Sequence, residues 1–207
     1  MTLIKRKANR RTEPMQLKQR RSCEELAAAV EDADAAVRRQ AARDILPCPD
    51  AARELLSRLK REHDGSVREV ILNSLVRLKD ASAVSGLADF LRAEDAALRN
   101  EVIHSFKQLG NVVAPLLRSL LTDPDPDVRI FACNILDSER NPDVEIWLID
   151  VIEQDAHVNV CSTAVDLLCE VGTEKAIDPL VRLKVRFQSE PYIQFAAELA
   201  LKRIREV

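Results

Sequence analysis

The chain is poor in glycine and aromatic residues, with four glycines and 3% Phe, Trp and Tyr in 207 residues. The sequence contains no glycine-rich phosphate loop. The low content of glycine and aromatic residues favours helices over sheets. No uncharged apolar run reaches about eighteen residues, so we predict no membrane-spanning helix. Residues 1–21 lack the apolar stretch of a secretory signal. We therefore expect a cytoplasmic protein.

Cysteine and histidine are too few and too scattered for a zinc site. The three histidines do not stand at paired ligand spacings, and no Cys-x-x-Cys pair occurs. We predict neither a metal nor a cofactor. The five cysteines are odd in number and mostly fall at core-like helical spacings, which predicts reduced packing residues at Cys23, Cys48, Cys133, Cys161 and Cys169.

Charge is unevenly divided along the chain. Residues 1–21 hold eight of the 31 basic residues and one of the 34 acidic ones, so this segment is +7 and residues 22–207 are −10. We predict a flexible basic N-terminal arm over 1–21. Its candidate contacts with an anionic partner (nucleic acid, a lipid surface or an acidic protein) are Lys5, Arg6, Lys7, Arg10 and Arg11. The alternatives are a solvated tail that folds back on the acidic body, or a transit peptide.

The remaining sequence contains an internal repeat. Six apolar anchors recur at intervals of 30 to 33 residues, each followed four and eight residues later by core-type residues: Val37, Val67, Leu98, Val128, Val160 and Ile193. At the first four anchors an aspartate lies three residues upstream and an arginine follows directly. The fifth and sixth anchors are followed by Cys161 and Gln194 instead of arginine. Such a period is typical of one supersecondary unit stacked on itself.

Each unit has room for two helices. Val67, Ile71, Leu75 and Leu78 lie on one stripe of a 3.6-residue period, and the aspartate before each anchor is suited to cap the helix. Short connections make the paired helices antiparallel. We therefore predict an all-α fold, a right-handed α-solenoid of about six two-helix repeats that forms a single domain over 22–207. The second helices should form its inner, concave layer.

The repeat resembles the short bacterial HEAT repeats of the phycobilisome-lyase type. The likeness lies in Asp-x-x-Val-Arg-x-x-Ala-Ala-x-x-Ile from Asp34 to Ile45, and in the prolines of Ala114-Pro115-Leu116 and Asp178-Pro179-Leu180. The resemblance implies a HEAT-repeat solenoid in which the Asp and Arg columns form a ladder between neighbouring units, as scaffold. That ladder should end at Cys161 and Gln194.

Catalytic motifs are absent, so the principal prediction is a non-catalytic scaffold for protein–protein interaction. The resemblance adds two implications, a regulatory or signalling role in a bacterium and, as an alternative, a factor for phycobilin chromophore attachment. The His-Glu pairs of di-iron HEAT hydroxylases do not occur here, because Asp64, Ser105 and Val158 follow the three histidines. Nucleic-acid binding by the basic arm is the third hypothesis, and a body charge of −10 argues against it.

The predicted partner surface is the concave one, at positions two, three and six after each anchor. Its candidate partner-binding residues are Glu69, Asn73, Asn100, Glu101, His104, Ile130, Phe131 and Asn134. Ile130 and Phe131 are apolar in a mostly polar column, which indicates either an exposed partner patch or a rotated helix that buries both. His104 is either a partner contact or a solvated polar residue.

Overall fold

A computed structural model of the chain describes residues 21–137 and 141–206. Within these ranges the regular structure consists of α-helices and short 3₁₀ helices, without a strand. The fold is therefore all-α, as predicted. Most of the predicted basic arm, including Lys5, Arg6, Lys7, Arg10 and Arg11, lies outside the described residues.

Twelve α-helices in the described ranges form six consecutive pairs. The first helices are α1 (Cys23–Val30), α3 (Ala51–Leu59), α5 (Ala81–Ala88), α7 (Ala114–Leu120), α9 (Val144–Gln154) and α11 (Ile177–Arg186). The second helices are α2 (Ala35–Asp44), α4 (Gly65–Leu78), α6 (Ala96–Leu109), α8 (Pro126–Leu136), α10 (Val158–Val171) and α12 (Pro191–Glu206). Short 3₁₀ helices occupy Asp89–Arg92, Gly110–Val112 and Glu174–Ala176. The prediction of about six two-helix repeats is confirmed.

The repeated aspartates cap the second helices, as predicted. The carboxylates of Asp34, Asp64, Asp95 and Asp125 each accept a hydrogen bond from the backbone N–H two residues on, at 2.7 to 2.9 Å. These bonds satisfy helix-end donors that have no partner within the helix. His157 stands at the corresponding place before α10 and makes no side-chain capping bond.

Stacking of neighbouring repeats buries the anchors. Each second helix packs against the second helix of the next repeat, from α2 to α12. Five of the six anchors are buried, and Val67, Val128, Val160 and Ile193 are 0% exposed. Val37 is half-buried because α2 has no second helix before it in the described chain. Full burial of each such side chain contributes roughly 1.5–3 kcal/mol.

The first repeat contains a disulfide that the sequence analysis did not predict. Cys23 and Cys48 are bonded, with their Cα atoms 5.7 Å apart and a separation of 25 positions in sequence. Cys23 begins α1 and Cys48 follows α2, and the antiparallel pairing of these helices brings the two positions together. The prediction of five reduced packing cysteines is wrong for this pair. Cys133 and Cys161 are free and buried, as predicted, and Cys169 is free and half-buried.

The arginine column joins neighbouring repeats, but not through the cap aspartates alone. Arg68 contacts the cap residue Asp95 at 2.6 Å, as the resemblance implies. Arg38 instead contacts Glu62 at 2.8 Å, an acid two residues before the next cap aspartate. Glu62 lies in the turn after α3, and Arg38 also donates to the carbonyls of Asp32 and Ala33 in the turn before its own helix. The predicted Asp–Arg ladder is therefore corrected to a mixed one.

At Cys161 and Gln194, where the ladder was expected to end, other groups contact the backbone. The thiol of Cys161 donates to the Asp155 carbonyl at 3.3 Å. The guanidinium of Arg186, from α11, donates to the same carbonyl at 2.9 Å. In the sixth repeat, Gln194 donates to the carbonyls of Lys184 and Phe187. Arg186 thus supplies a backbone contact where Cys161 replaces the arginine, and the Gln194 amide binds backbone carbonyls from the arginine position itself.

Candidate partner-binding face

The second-helix face is the surface formed by positions two, three and six after each anchor. Of the residues predicted there, Glu69, Asn73, Asn100 and His104 are exposed. Glu101, Ile130, Phe131 and Asn134 are half-buried. The predicted residues therefore lie on three consecutive helices, α4, α6 and α8, with different accessibility.

The exposure of Ile130 and Phe131 lies between the two interpretations of the sequence, an exposed partner patch and full burial by a rotated helix. Both are half-buried and pack against the hydrophobic core. The guanidinium carbon of Arg99 lies 5.8 Å from the centroid of the Phe131 ring, a cation–π distance. Arg99 also donates to the backbone carbonyls of Ala93 and Glu94. Phe131 is therefore partly covered from the side of α6.

A charged cluster lies between α4 and α6. Arg68 contacts Asp95 at 2.6 Å and Glu101 at 3.3 Å. The hydrogen bond from Arg68 lowers the pKa of Asp95, whereas burial raises the pKa of Glu101 despite the nearby guanidinium. Arg68 Nε and Glu101 Oε2 are buried and have no hydrogen-bond partner in the part of the chain that the structure describes. Ala93 stands where the ladder has Glu62 and Asp155, so Arg68 turns towards Asp95.

His104 is exposed and contacts one side chain of its own helix. Its Nε2 lies 2.8 Å from Nε2 of Gln108, four residues on. This geometry agrees with a solvated polar residue and leaves the ring accessible to a partner. Nothing in the contact indicates catalysis.

The most exposed apolar side chains on and beside the second-helix face lie on α12, where no candidate residue was predicted. Tyr192, Phe195 and Leu199 are 53%, 66% and 48% exposed. Phe195 and Leu199 stand two and six residues after the anchor Ile193, in the same columns as the predicted residues, which reach only the fourth repeat. The same columns continued to the sixth repeat would have predicted Phe195 and Leu199. We call these three residues the α12 patch.

Polar groups border the α12 patch. The hydroxyl of Tyr192 lies 2.9 Å from both carboxylate oxygens of Asp166 on α10 and donates its proton to that carboxylate. This hydrogen bond raises the pKa of Tyr192. Cys169 and Glu170 complete a cavity of about 190 Å³ between α10 and α12. A partly exposed apolar patch with a polar border is typical of protein-binding surfaces.

A separate cavity of about 410 Å³ lies where the fourth repeat meets the fifth. Trp147 lines it but is only 7% exposed. Arg129 and Asp155, which also line it, are paired with each other. This pair connects the two repeats, and we assign the cavity a structural role.

The described residues contain neither a candidate metal site nor a candidate membrane span. Within 21–137 and 141–206, no three His, Cys, Asp or Glu side chains are grouped so that they could bind a metal ion. No helix in the same ranges is both long enough and apolar enough to cross a bilayer.

Six stacked helix pairs with a mixed polar and apolar face define an α-solenoid repeat protein. The sequence matches the family of HEAT repeats over residues 23–107, 52–130 and 113–202. The chain belongs to the HEAT-repeat family, whose repeats generally mediate protein–protein interaction. A comparison with curated proteins found no significant match.

Solved structures with a similar arrangement include other helical repeat proteins. An archaeal HEAT-like repeats protein from Thermococcus onnurineus is 18% identical, with 89% of this chain and 87% of that chain covered and a TM-score of 0.46. The phycocyanin lyase complex of CpcE and CpcF from Nostoc is 16% identical, with coverages of 95% and 98% and a TM-score of 0.39. An engineered protein is 18% identical, with coverages of 89% and 96% and a TM-score of 0.43.

Proposed function

We propose that the chain is a non-catalytic scaffold that binds a protein partner on its second-helix face. The observation that carries the proposal is the α12 patch, with Phe195 66% exposed. A soluble protein exposes scattered apolar side chains, but three on adjacent turns of one helix face are characteristic of a contact surface. Aromatic side chains in such a position often dominate binding energy.

The rest of the face supplies the polar contacts that such a surface needs. Asn73, Asn100 and His104 are exposed, and Asn134 is half-buried beside Phe131. Burial of the exposed parts of Phe195 and Leu199 would contribute about 1–2 kcal/mol each. The polar residues would then fix the register of the partner through hydrogen bonds.

Affinity purification of the Phe195→Asp variant tests the proposal. Val185→Asp is the matched control, because Val185 is 71% exposed but lies on a first helix, α11. We expect Phe195→Asp to lose the co-purifying partner at an unchanged melting temperature, while Val185→Asp retains it. Equal retention by both variants would remove the α12 patch from the proposal.

A regulatory or signalling role, a bacterial source and a cytoplasmic location belong to this proposal. The Cys23–Cys48 disulfide argues against the cytoplasmic part of this proposal, because the cytoplasm of most organisms keeps thiols reduced. Cell fractionation tests the location, and mass analysis of the native chain shows whether the disulfide is present. The chromophore-attachment and nucleic-acid alternatives stay predictions from the sequence.

A further inference from the structure

Four arginines surround the groove between α2 and α4, at the opposite end of the second-helix face from the α12 patch. Arg39, Arg43 and Arg77 line a cavity of about 350 Å³. Arg43 and Arg77 also line an adjoining cavity of about 790 Å³ together with Arg21. We call the surface around these four side chains the arginine groove.

Two of these guanidinium groups have no partner among the described residues. Within 21–137 and 141–206, Arg43 and Arg77 make neither a hydrogen bond nor an ion pair. Arg39 donates to the hydroxyl of Ser66 at 2.7 Å. In contrast, Arg38, in the same helix as Arg43, is buried and paired with Glu62. Guanidinium groups grouped in this way repel one another, so an anion placed between them is stabilised.

The positive charge of the groove contrasts with the rest of the protein. The two cavities contain the carboxylates Asp44 and Glu69 against four arginines, a formal charge of +2. Residues 22–207 together are −10. Asp44 is moreover engaged by Gln40, whose amide nitrogen lies 2.9 Å from Oδ1. The groove is therefore a local positive surface on an acidic solenoid.

We propose that the arginine groove binds an acidic segment of a protein partner, with Asp or Glu carboxylates paired to Arg39, Arg43 and Arg77. The planar guanidinium group matches a carboxylate with two parallel hydrogen bonds. Asn73, exposed in the groove, offers a neutral hydrogen-bonding group to the backbone of the segment. This inference rests on the proposed function and specifies the chemistry of the partner.

Nucleic acid fits the groove less well than an acidic protein segment. Neither cavity has an aromatic side chain among its described lining residues on which a base could stack. Asp44 and Glu69 repel a backbone that carries one charge per nucleotide, and so does the −10 body. A protein segment can space its carboxylates to avoid both acids.

Fluorescence anisotropy on the purified full chain tests the proposal. The probe is a short fluorescein-labelled peptide in which Glu alternates with Ser, and its control has Gln in place of Glu. The Arg43→Gln/Arg77→Gln double variant is compared with Arg53→Gln/Arg182→Gln. The latter removes the same charge from α3 and α11, where the two side chains are 70% and 62% exposed.

We expect the groove variant to weaken binding of the Glu peptide by about threefold to thirtyfold, from two partly exposed charge pairs. The α3 and α11 variant should bind as the unaltered chain does. Equal weakening by both variants, or no binding of the Glu peptide at low salt, overturns the proposal. So does a single-stranded oligonucleotide that binds more tightly than the Glu peptide through the same arginines. The Phe195→Asp experiment is independent of all these results.

Discussion

Arg129 contacts the carboxylate of Asp155 with two nitrogens, Nε at 2.6 Å from Oδ2 and Nη2 at 3.0 Å from Oδ1. Its Nη1 donates to the carbonyls of Asp123 and Pro124, just before the helix that carries Arg129. The Arg129 side chain, on α8, thus joins the turn between α7 and α8 to the turn between α9 and α10. The carboxylate of Asp155 also accepts from the N–H of His157 at 2.8 Å.

Removal of the guanidinium should destabilise this junction strongly. The side chains of Arg129 and Asp155 are 15% and 7% exposed, so Arg129→Gln leaves a largely buried carboxylate without its cation. We expect a loss of about 3 kcal/mol in the free energy of unfolding, measured by urea denaturation. Arg182→Gln is the control, since its pair with Glu153 is largely exposed and should cost less than about 0.5 kcal/mol. Similar losses in both variants would refute the special role of the Arg129 junction.

Glu62 should make stability depend on acid pH. Burial alone would raise its pKa, but hydrogen bonds from Arg38, Arg58 and the Asp64 N–H lower it to about 2 from an ordinary 4.5. Because the folded pKa is the lower one, the contribution of Glu62 is present above about pH 4.5 and is lost as pH falls towards 2.

Comparison with Glu62→Gln isolates this contribution. Other carboxylates titrate equally in both proteins, so the difference in unfolding free energy reports Glu62. We expect the difference to be about 3 kcal/mol at neutral pH and to shrink as the medium is acidified below pH 4.5. Parallel stability curves over that window would contradict the assigned contacts.

The disulfide should stabilise the first repeat. Cys23 and Cys48 are 25 residues apart, and closing a loop of that length in the unfolded chain is worth about 3 kcal/mol. A reductant should therefore lower the unfolding free energy of the chain by that amount. It should leave the Cys23→Ser/Cys48→Ser variant unchanged. If the reductant has no effect on the unaltered chain, the bond does not form in solution.

The three free thiols should differ in reactivity. Burial raises the pKa of Cys133 to about 12 and also raises the pKa of Cys161, so neither forms thiolate at neutral pH. Cys169 is half-buried beside the α12 patch. We expect a thiol reagent to modify Cys169 in the folded protein, and Cys133 and Cys161 only after unfolding, as peptide mass mapping would show. Early modification of Cys133 would contradict the packing of α8.

The sequence was sufficient for the fold because helix periodicity and caps are local properties. The spacing of Asp64 and Val67 predicts a helix cap followed by a core position. Asp64 accepts a hydrogen bond from the Val67 N–H, and Val67 is buried. The Cys23–Cys48 bond was missed because it depends on how α1 and α2 pair in space. The same applies to Arg38, whose acid partner Glu62 is set by the approach of two repeats.

The candidate site was harder to predict, because exposure depends on the packing of whole helices. Ile130 and Phe131 are apolar residues in a mostly polar column, yet both pack partly against the core, and Arg99 lies over the Phe131 ring. Phe195 occupies the same column on the last described helix, where no further repeat follows within the described chain to cover it. A position in the repeat therefore predicts the face on which a residue lies, but not how much of its side chain is exposed.

The partner surface is tested most directly by site-specific photo-crosslinking in cells. A photoreactive phenylalanine analogue replaces either Phe195, on the second-helix face, or Val185, on α11. Both positions are strongly exposed, at 66% and 71%, so accessibility to solvent does not distinguish them. The account predicts a discrete crosslinked species from position 195 and none from position 185. Crosslinking from position 185 alone, or to the same extent from both positions, would contradict it.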